Sequence, residues 1–255
     1  MLLVVDIGNT NVNFGLFDKD VLLTVAGYSH ERRADVQIGE AMVSSLFSNY
    51  KIDECVISSV YDEYTDVIRT AIINVFHING LVINSGLNLG IKIDTEDPSK
   101  CGTDRIANAY AASKLYEQRP IIVVDSGSAT TFDVIDKEGK FIGGLIMPGL
   151  QMQLDALSSN TSKLPKIDIK KAENIDKVIS NDTENNILSG VVQGHAQAVQ
   201  GLIVKCEREL RKKAFVIGTG GGAKLLQKFM RYKKFDVRDE HLTLKGIKMI
   251  YDLNI

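Results

Sequence analysis

Two short stretches hold residue types suited to a phosphorylated ligand: Asp6-Ile7-Gly8-Asn9-Thr10-Asn11 and Asp125-Ser126-Gly127-Ser128-Ala129-Thr130-Thr131. Glycine lets the backbone approach a phosphate, and successive N–H groups donate to its oxygens. Asn9, Thr10 and Asn11 add side-chain donors to the first stretch, and Ser128, Thr130 and Thr131 to the second. Each leading aspartate ends an apolar run, where it can hold a cation directly or through water. Taken singly, either stretch reads more simply as an Asx-type turn between hairpin strands. The pair together favours phosphate binding. A third element, Val216-Ile217-Gly218-Thr219-Gly220-Gly221-Gly222-Ala223-Lys224, runs from an apolar strand through glycines into a predicted helix. A flat group could lie on its glycines, and a helix N-terminus favours anions. It lacks the Gly-Lys-Ser/Thr ending of a Walker A loop and the dinucleotide spacing, so a plain strand–helix turn is an equal reading. Asp104 and Arg105 stand at the start of a predicted helix over Ile106–Tyr116. There the dipole favours an ionised carboxylate by ~0.3–1 kcal/mol. On its own, such a residue is an ordinary helix-start acid.

The elements that must carry these residues follow from periodicity. Leu2–Val5 is a β-prone run, Val12, Phe14 and Leu16 alternate with Asn13 and Gly15, and Val21–Ala26 is a third strand after the Asp18-Lys19-Asp20 turn. The same grammar returns at Ile121–Val124, Thr131–Ile135 and Phe141–Ile146. Laid over each other, Asp6 meets Asp125, Gly8 meets Gly127, and Asp18-Lys19 meets Asp136-Lys137. That register predicts duplicated lobes, whose acidic turns would face each other under pseudo-symmetry. Helical periodicity at Val36–Phe47 and Asp66–Phe76, beside short strands at Val56-Ile57 and Leu81–Ile83, indicates an α/β fold. Asn181 and Glu184 have capping-box spacing ahead of a long helix. Lys163–Lys177 reads as a mobile, charged surface connection rather than a binding tail.

Bulk properties narrow the function. A chain of 255 residues suits one large domain or two lobes. With 30 Lys and Arg against 32 Asp and Glu, it lacks the excess cations of a nucleic-acid binder. No apolar run approaches the ~18 residues of a membrane span, and Asp6 interrupts the N-terminus too early for a signal peptide. Three scattered cysteines, Cys55, Cys101 and Cys206, read as thiols of a reducing cytoplasm. His30, His77, His195 and His241 have no metal-ligand spacing and are read as structural or exposed.

In order along the chain, four stretches resemble the type III pantothenate kinases of the acetate and sugar kinase, heat-shock and actin superfamily. They are Asp6–Asn11, Cys101-Gly102-Thr103-Asp104-Arg105-Ile106, Asp125–Asp133 and His241-Leu242-Thr243-Leu244-Lys245-Gly246. The resemblance spans essentially the whole chain. It implies two duplicated ribonuclease H-like (actin-like ATPase) lobes, each a mixed five-stranded sheet with flanking helices, over residues 1–115 and 116–255. It implies ATP-dependent phosphorylation of the pantothenate primary hydroxyl, with Asp104 as general base. Asp6, Ile7, Gly8, Asn9, Thr10, Asn11, Val12, Asn13 and Ser128 would contact ATP. Gly102, Thr103, Asp104, Arg105, Thr95 and Thr183 would contact pantothenate, Thr183 in the partner of a homodimer. Asp125 would bind a monovalent cation, K+ or NH4+, and Mg2+ would come with the nucleotide. The sequence departs from the family pattern where Thr103 replaces Ala, where Ser126 and Ser128 replace Phe and Thr, and where Thr95 takes the place of a Tyr. Other readings are a catalytically silent transcriptional accessory factor of the same family, or a kinase of a sugar or carboxylate.

Overall fold

Leu2–Ile7 is apolar except at Asp6, and a run of that kind needs cover on both faces. In a computed structural model describing residues 1–30 and 35–255, it forms β1, third of five strands in its sheet. β2 (Asn11–Asp18) and β3 (Val21–Ser29) follow antiparallel. After α1 (Val36–Phe47), β4 (Glu54–Ser59) lies parallel to β1 on its other side. Then α2 (Asp62–Phe76) leads to β5 (Leu81–Val82), giving the order β3-β2-β1-β4-β5. α3 (Thr103–Leu115) closes this part of the chain.

The second half repeats the pattern. β6 (Ile121–Ser126), β7 (Ala129–Ile135) and β8 (Phe141–Pro148) form the meander, followed by α4 (Leu150–Ser159) and the long α5 (Thr183–Glu209). β9 (Phe215–Thr219) pairs parallel to β6, and after α6 (Ala223–Phe229) comes β10 (Val237–Arg238). The strand order β8-β7-β6-β9-β10 is that of the first sheet, so the duplication expected from the two acidic turns is present. The last helix, α7 (Leu242–Asp252), belongs by packing to the first unit. The chain divides into Met1–Lys114 with Leu242–Ile255, and Leu115–His241, whereas the sequence reading placed all of 116–255 in the second lobe.

Side-chain alternation explains the covering. Leu3, Val5 and Ile7 of β1 pack with Met42, Val43 and Phe47 of α1 and with Tyr64, Ile68 and Ile72 of α2. Phe14 meets Phe47 with ring centroids 5.7 Å apart. Each such buried ring stabilises the fold by about 1.5–3 kcal/mol. Leu2 and Val4 face the other way, onto Ala107 and Tyr110 of α3 and Leu244, Ile247 and Ile250 of α7. Asp6 continues that second row, so it is turned toward the α3 side. In the second unit Ile122, Val124 and Phe132 pack under Leu150 and Leu154 of α4, Val192 and Ala196 of α5, and Leu226 of α6.

Two local expectations change. The cap of α5 is Asp182, whose Oδ1 accepts from Asn185 N–H at 2.9 Å, while Glu184 pairs with Lys171 Nζ at 2.7 Å. The charged stretch 163–177 lies on the surface with most of its residues exposed, but it is anchored there rather than mobile. Ile167, Ala172 and Ile175 are buried in the second core, because apolar residues recur among its lysines. Among the described residues no helix is long and apolar enough to cross a membrane.

Candidate active site

The β1–β2 register pairs Ile7 with Val12, leaving Gly8, Asn9 and Thr10 to make the turn. Gly8 N–H donates to Asn11 O at 2.9 Å, and Asn13 Nδ2 reaches Asp6 Oδ2 at 3.4 Å. Ser29 Oγ donates to Asn11 Oδ1 at 2.6 Å, and His30 binds the turn twice. Its N–H donates to Thr10 O at 2.9 Å, and its Nε2–H donates to Gly8 O at 3.1 Å. The His30 ring stacks on Tyr64 at 4.2 Å between centroids. Asn9 and Thr10 are exposed, so the turn offers donors on a backbone fixed from behind.

β4 brings the Gly-Thr-Asp-Arg stretch to this turn. Ser58 and Ser59 end β4 and pair with Asp6 and Ile7. Thr103 Oγ1 donates to Ser59 O at 3.2 Å, so it accepts from Ser58 Oγ at 2.8 Å. The ladder partner of Asp6 therefore anchors the residue beside Asp104. Ser58 and Ser59 were not singled out from the sequence. The available signal was a polar pair ending an apolar strand, as Asp6 and Asp125 do.

Asp104 lies in the first turn of α3, and Oδ1 of its carboxylate is buried with no hydrogen-bond partner. Gly102 is what allows this position, since a Cβ there would collide with that same Oδ1. Burial raises the Asp104 pKa above the ordinary carboxylate value, while N–H bonds from Arg105 and Asp104 and the Arg105 charge oppose the rise. A carboxylate oxygen desolvated in this way is a better proton acceptor than one in water. Thr95 sits apart from the turn contacts, its Oγ1 3.5 Å from Cys101 Sγ, next to Gly102 in sequence.

In the second unit the turn spans Gly127 to Ala129, with Ser126 paired to Thr130. Gly127 N–H donates to Ala129 O at 3.0 Å, and Gly149 N–H donates to Ser128 O at 3.1 Å. The Gly-rich segment closes on it from β9. Gly222 N–H donates to Ser126 O at 2.9 Å. A Cβ at Gly149 would strike Ser128 and Gly127 oxygens, one at Gly220 would strike Asp125 Oδ1, and one at Gly222 would strike Ser126 Oγ. Gly220 also has a positive φ of 78°. A Cβ added at Gly221 would meet no atom within 4 Å, so the packed turn leaves an open glycine edge where a flat or anionic group could rest.

Asp125 pairs with Thr219 across β6 and β9, on one face of the sheet. Thr219 is fully buried, and its Oγ1 has no hydrogen-bond partner. A carboxylate beside an unspent hydroxyl is an all-oxygen donor set, which fits a hard cation. Sequence reading had used Thr219 only as part of a glycine-rich turn. Thr183 is the first residue of α5 and is exposed.

Comparison with known proteins accords with this arrangement. Residues 2–205 match the sequence pattern of the type III pantothenate kinases. A type III pantothenate kinase of Halalkalibacterium halodurans is 34% identical over 260 residues, covering 100% of both chains. One from Listeria welshimeri is 33% identical over 259 residues, covering 100% of this chain and 98% of its own. Among solved structures, a Baf family transcriptional activator from Campylobacter jejuni has a TM-score of 0.59 at 21% identity, covering 98% of this chain and 97% of that one. A ROK family glucokinase from Streptomyces griseus, in complex with glucose and AMPPNP, has a TM-score of 0.55 at 11% identity, over 96% and 97%. At such identities these structures speak to the fold alone, two ribonuclease H-like lobes of the kind shared by actin-like ATPases and sugar kinases. With its sequence pattern and full-length relatives in agreement, the chain belongs to the type III pantothenate kinase family.

Proposed function

We propose that the protein transfers the γ-phosphoryl group of ATP to the primary hydroxyl of pantothenate, forming 4'-phosphopantothenate in the first step of coenzyme A biosynthesis. The observation that carries this reading is the buried, unpartnered Oδ1 of Asp104, held through Thr103 and Ser58 beside the strand that carries Asp6. ATP, arriving with Mg2+, supplies the transferred group and a good leaving group. Phosphoryl transfer has a loose transition state, so positioning and charge stabilisation supply most of the rate. Asp104 orients the acceptor hydroxyl and takes its proton late in the transfer. Arg105 pairs with the pantothenate carboxylate in a fork geometry that lysine cannot reproduce. Gly102, Thr103 and Thr95 line the same substrate, and Thr183 reaches the substrate of the partner in a homodimer.

The turn from Asp6 to Asn13 and Ser128 contact the nucleotide. Asp125, with Thr219, holds the monovalent cation, K+ or NH4+, that offsets phosphate charge. The reaction belongs in the cytoplasm, where Cys55, Cys101 and Cys206 remain free thiols. The silent accessory-factor reading gains nothing here, because Asp104 and Asp125 are both in place.

ADP formation by the purified protein tests the proposal, with ATP and pantothenate in potassium buffer. Product should appear only with pantothenate, and sodium in place of potassium should slow it. ATP turnover indifferent to pantothenate, or supported by a sugar instead, overturns the assignment.

A further inference from the structure

His195 is 2% exposed on α5, in the core of the second unit, and its two ring nitrogens are both engaged. Nδ1 lies 2.6 Å from Gln153 Nε2, and Nε2 lies 3.0 Å from Thr130 Oγ1. The direction of this chain is fixed by chemistry. Gln153 Nε2 is also 3.0 Å from Pro148 O, and a backbone carbonyl can only accept. The Gln153 amide therefore presents its nitrogen, and His195 Nδ1 must accept from it. The ring proton then sits on Nε2 and is donated to Thr130 Oγ1.

Those contacts converge on one turn. Thr130 is the second residue of β7, directly after Gly127, Ser128 and Ala129, and pairs with Ser126 on the other side of the turn. Pro148 and Gly149 precede α4, and Gly149 N–H holds Ser128 O at 3.1 Å. One imidazole thus ties α5 to both flanks of the Ser128 turn. Side chains facing a buried apolar helix bundle could have been apolar throughout, as Phe132 and Val134 are on the same strand face. A histidine there, with every polar atom satisfied, fixes one rotamer of Thr130 and one orientation of Gln153. Burial depresses the His195 pKa to about 4, which keeps the ring neutral and this donor pattern intact at physiological pH.

We infer that His195 is a positioning residue for nucleotide binding, holding the Gly127–Ala129 turn through Thr130 and Gln153. The inference rests on the proposed role of Ser128 at the nucleotide. It predicts a defect in ATP affinity with pantothenate KM left unchanged. A scaffold role alone would lower thermal stability without moving nucleotide affinity at temperatures where the protein is folded.

ADP binding by calorimetry at 20 °C, with Tm measured in parallel, separates these cases. His195→Phe keeps the ring volume and removes both polar contacts. Thr130→Val removes the accepting hydroxyl with little change of shape and serves if the first variant does not fold. Each should weaken ADP by about tenfold, the effect of one lost directed hydrogen bond. The double variant should be no weaker than either single one, because both act on the same link. His195→Gln, whose amide nitrogen can stand in for Nε2–H, should recover most of the affinity. Folded variants binding ADP within twofold of the unaltered protein overturn the inference alone. Failure of the unaltered protein to bind ADP sinks the nucleotide assignment, and the inference with it.

Discussion

Asp104 combines two demands that oppose each other. A proton acceptor works best where its charge is poorly solvated, and poor solvation makes that charge costly to the fold. Its raised pKa means that the native state holds the proton more tightly than the unfolded chain, so this group's own contribution to stability is largest when it is protonated and declines as the carboxyl ionises with rising pH. Asp104→Asn should therefore lower turnover by roughly 10²–10⁴ and raise Tm at pH 7 by about 2 °C or more. Steady-state kinetics and a thermal melt on one preparation check both. A variant that keeps its turnover would remove Asp104 from the proton-accepting role. The residue was legible from its neighbours Gly102, Thr103 and Arg105, but its burial was not. Helix starts are usually solvated, and the desolvation here comes from the fold around it.

At the scale of elements, close approach decides more than propensity. α7 lies against α3 because Gly246 has no side chain, and a Cβ would overlap the Ala107 carbonyl oxygen. Thr243 Oγ1 donates to Asn108 Oδ1 at 2.8 Å and fixes the register of the pair. Gly246→Ala should cost about 1–3 kcal/mol through overpacking, seen as a lower denaturant midpoint at unchanged m-value. Helix α5 carries a pH signature of its own. The neutral, buried His195 has a pKa lowered from 6.5 to about 4, so the unfolded chain binds the proton first as pH falls. The stabilisation is complete above pH 6.5 and disappears between 6.5 and about 4, amounting to about 3 kcal/mol. Urea melts across that range should show this slope in the unaltered protein and a flatter one in His195→Phe. The cap of α5 shows why boundaries are hard to read. Asn181, Asp182 and Thr183 all suit an N-cap, and only the backbone geometry selects Asp182.

For the whole molecule, the chain's end is part of its first unit. α7 covers the face of the first sheet that carries Leu2, Val4 and Val56, together with α3. Removing residues 242–255 would expose those strands and deprive Asp20 of its partner Lys248, which it meets at 2.7 Å across most of the chain's length. Such a truncated protein should show the first unit molten, with near-UV circular dichroism lost and apolar dye bound. A native-like melt of the truncated chain would contradict this. Composition at the C-terminus gave no hint of the partner, since an amphipathic helix names a face and not the surface that will cover it.

Strand periodicity and the repeated Asp-x-Gly turn were enough, from sequence alone, to establish two related α/β lobes, because alternation and turn chemistry are local properties. The order of the glycine-bearing stretches was enough to indicate the family. What tertiary structure decided were the relations between distant segments: Ser58 beneath Thr103, Thr219 beside Asp125, His195 behind Thr130, and α7 returned to the first sheet. Each depends on a ladder register or a helix packing that joins residues tens to hundreds of positions apart, and no local pattern encodes which distant partner a side chain will meet.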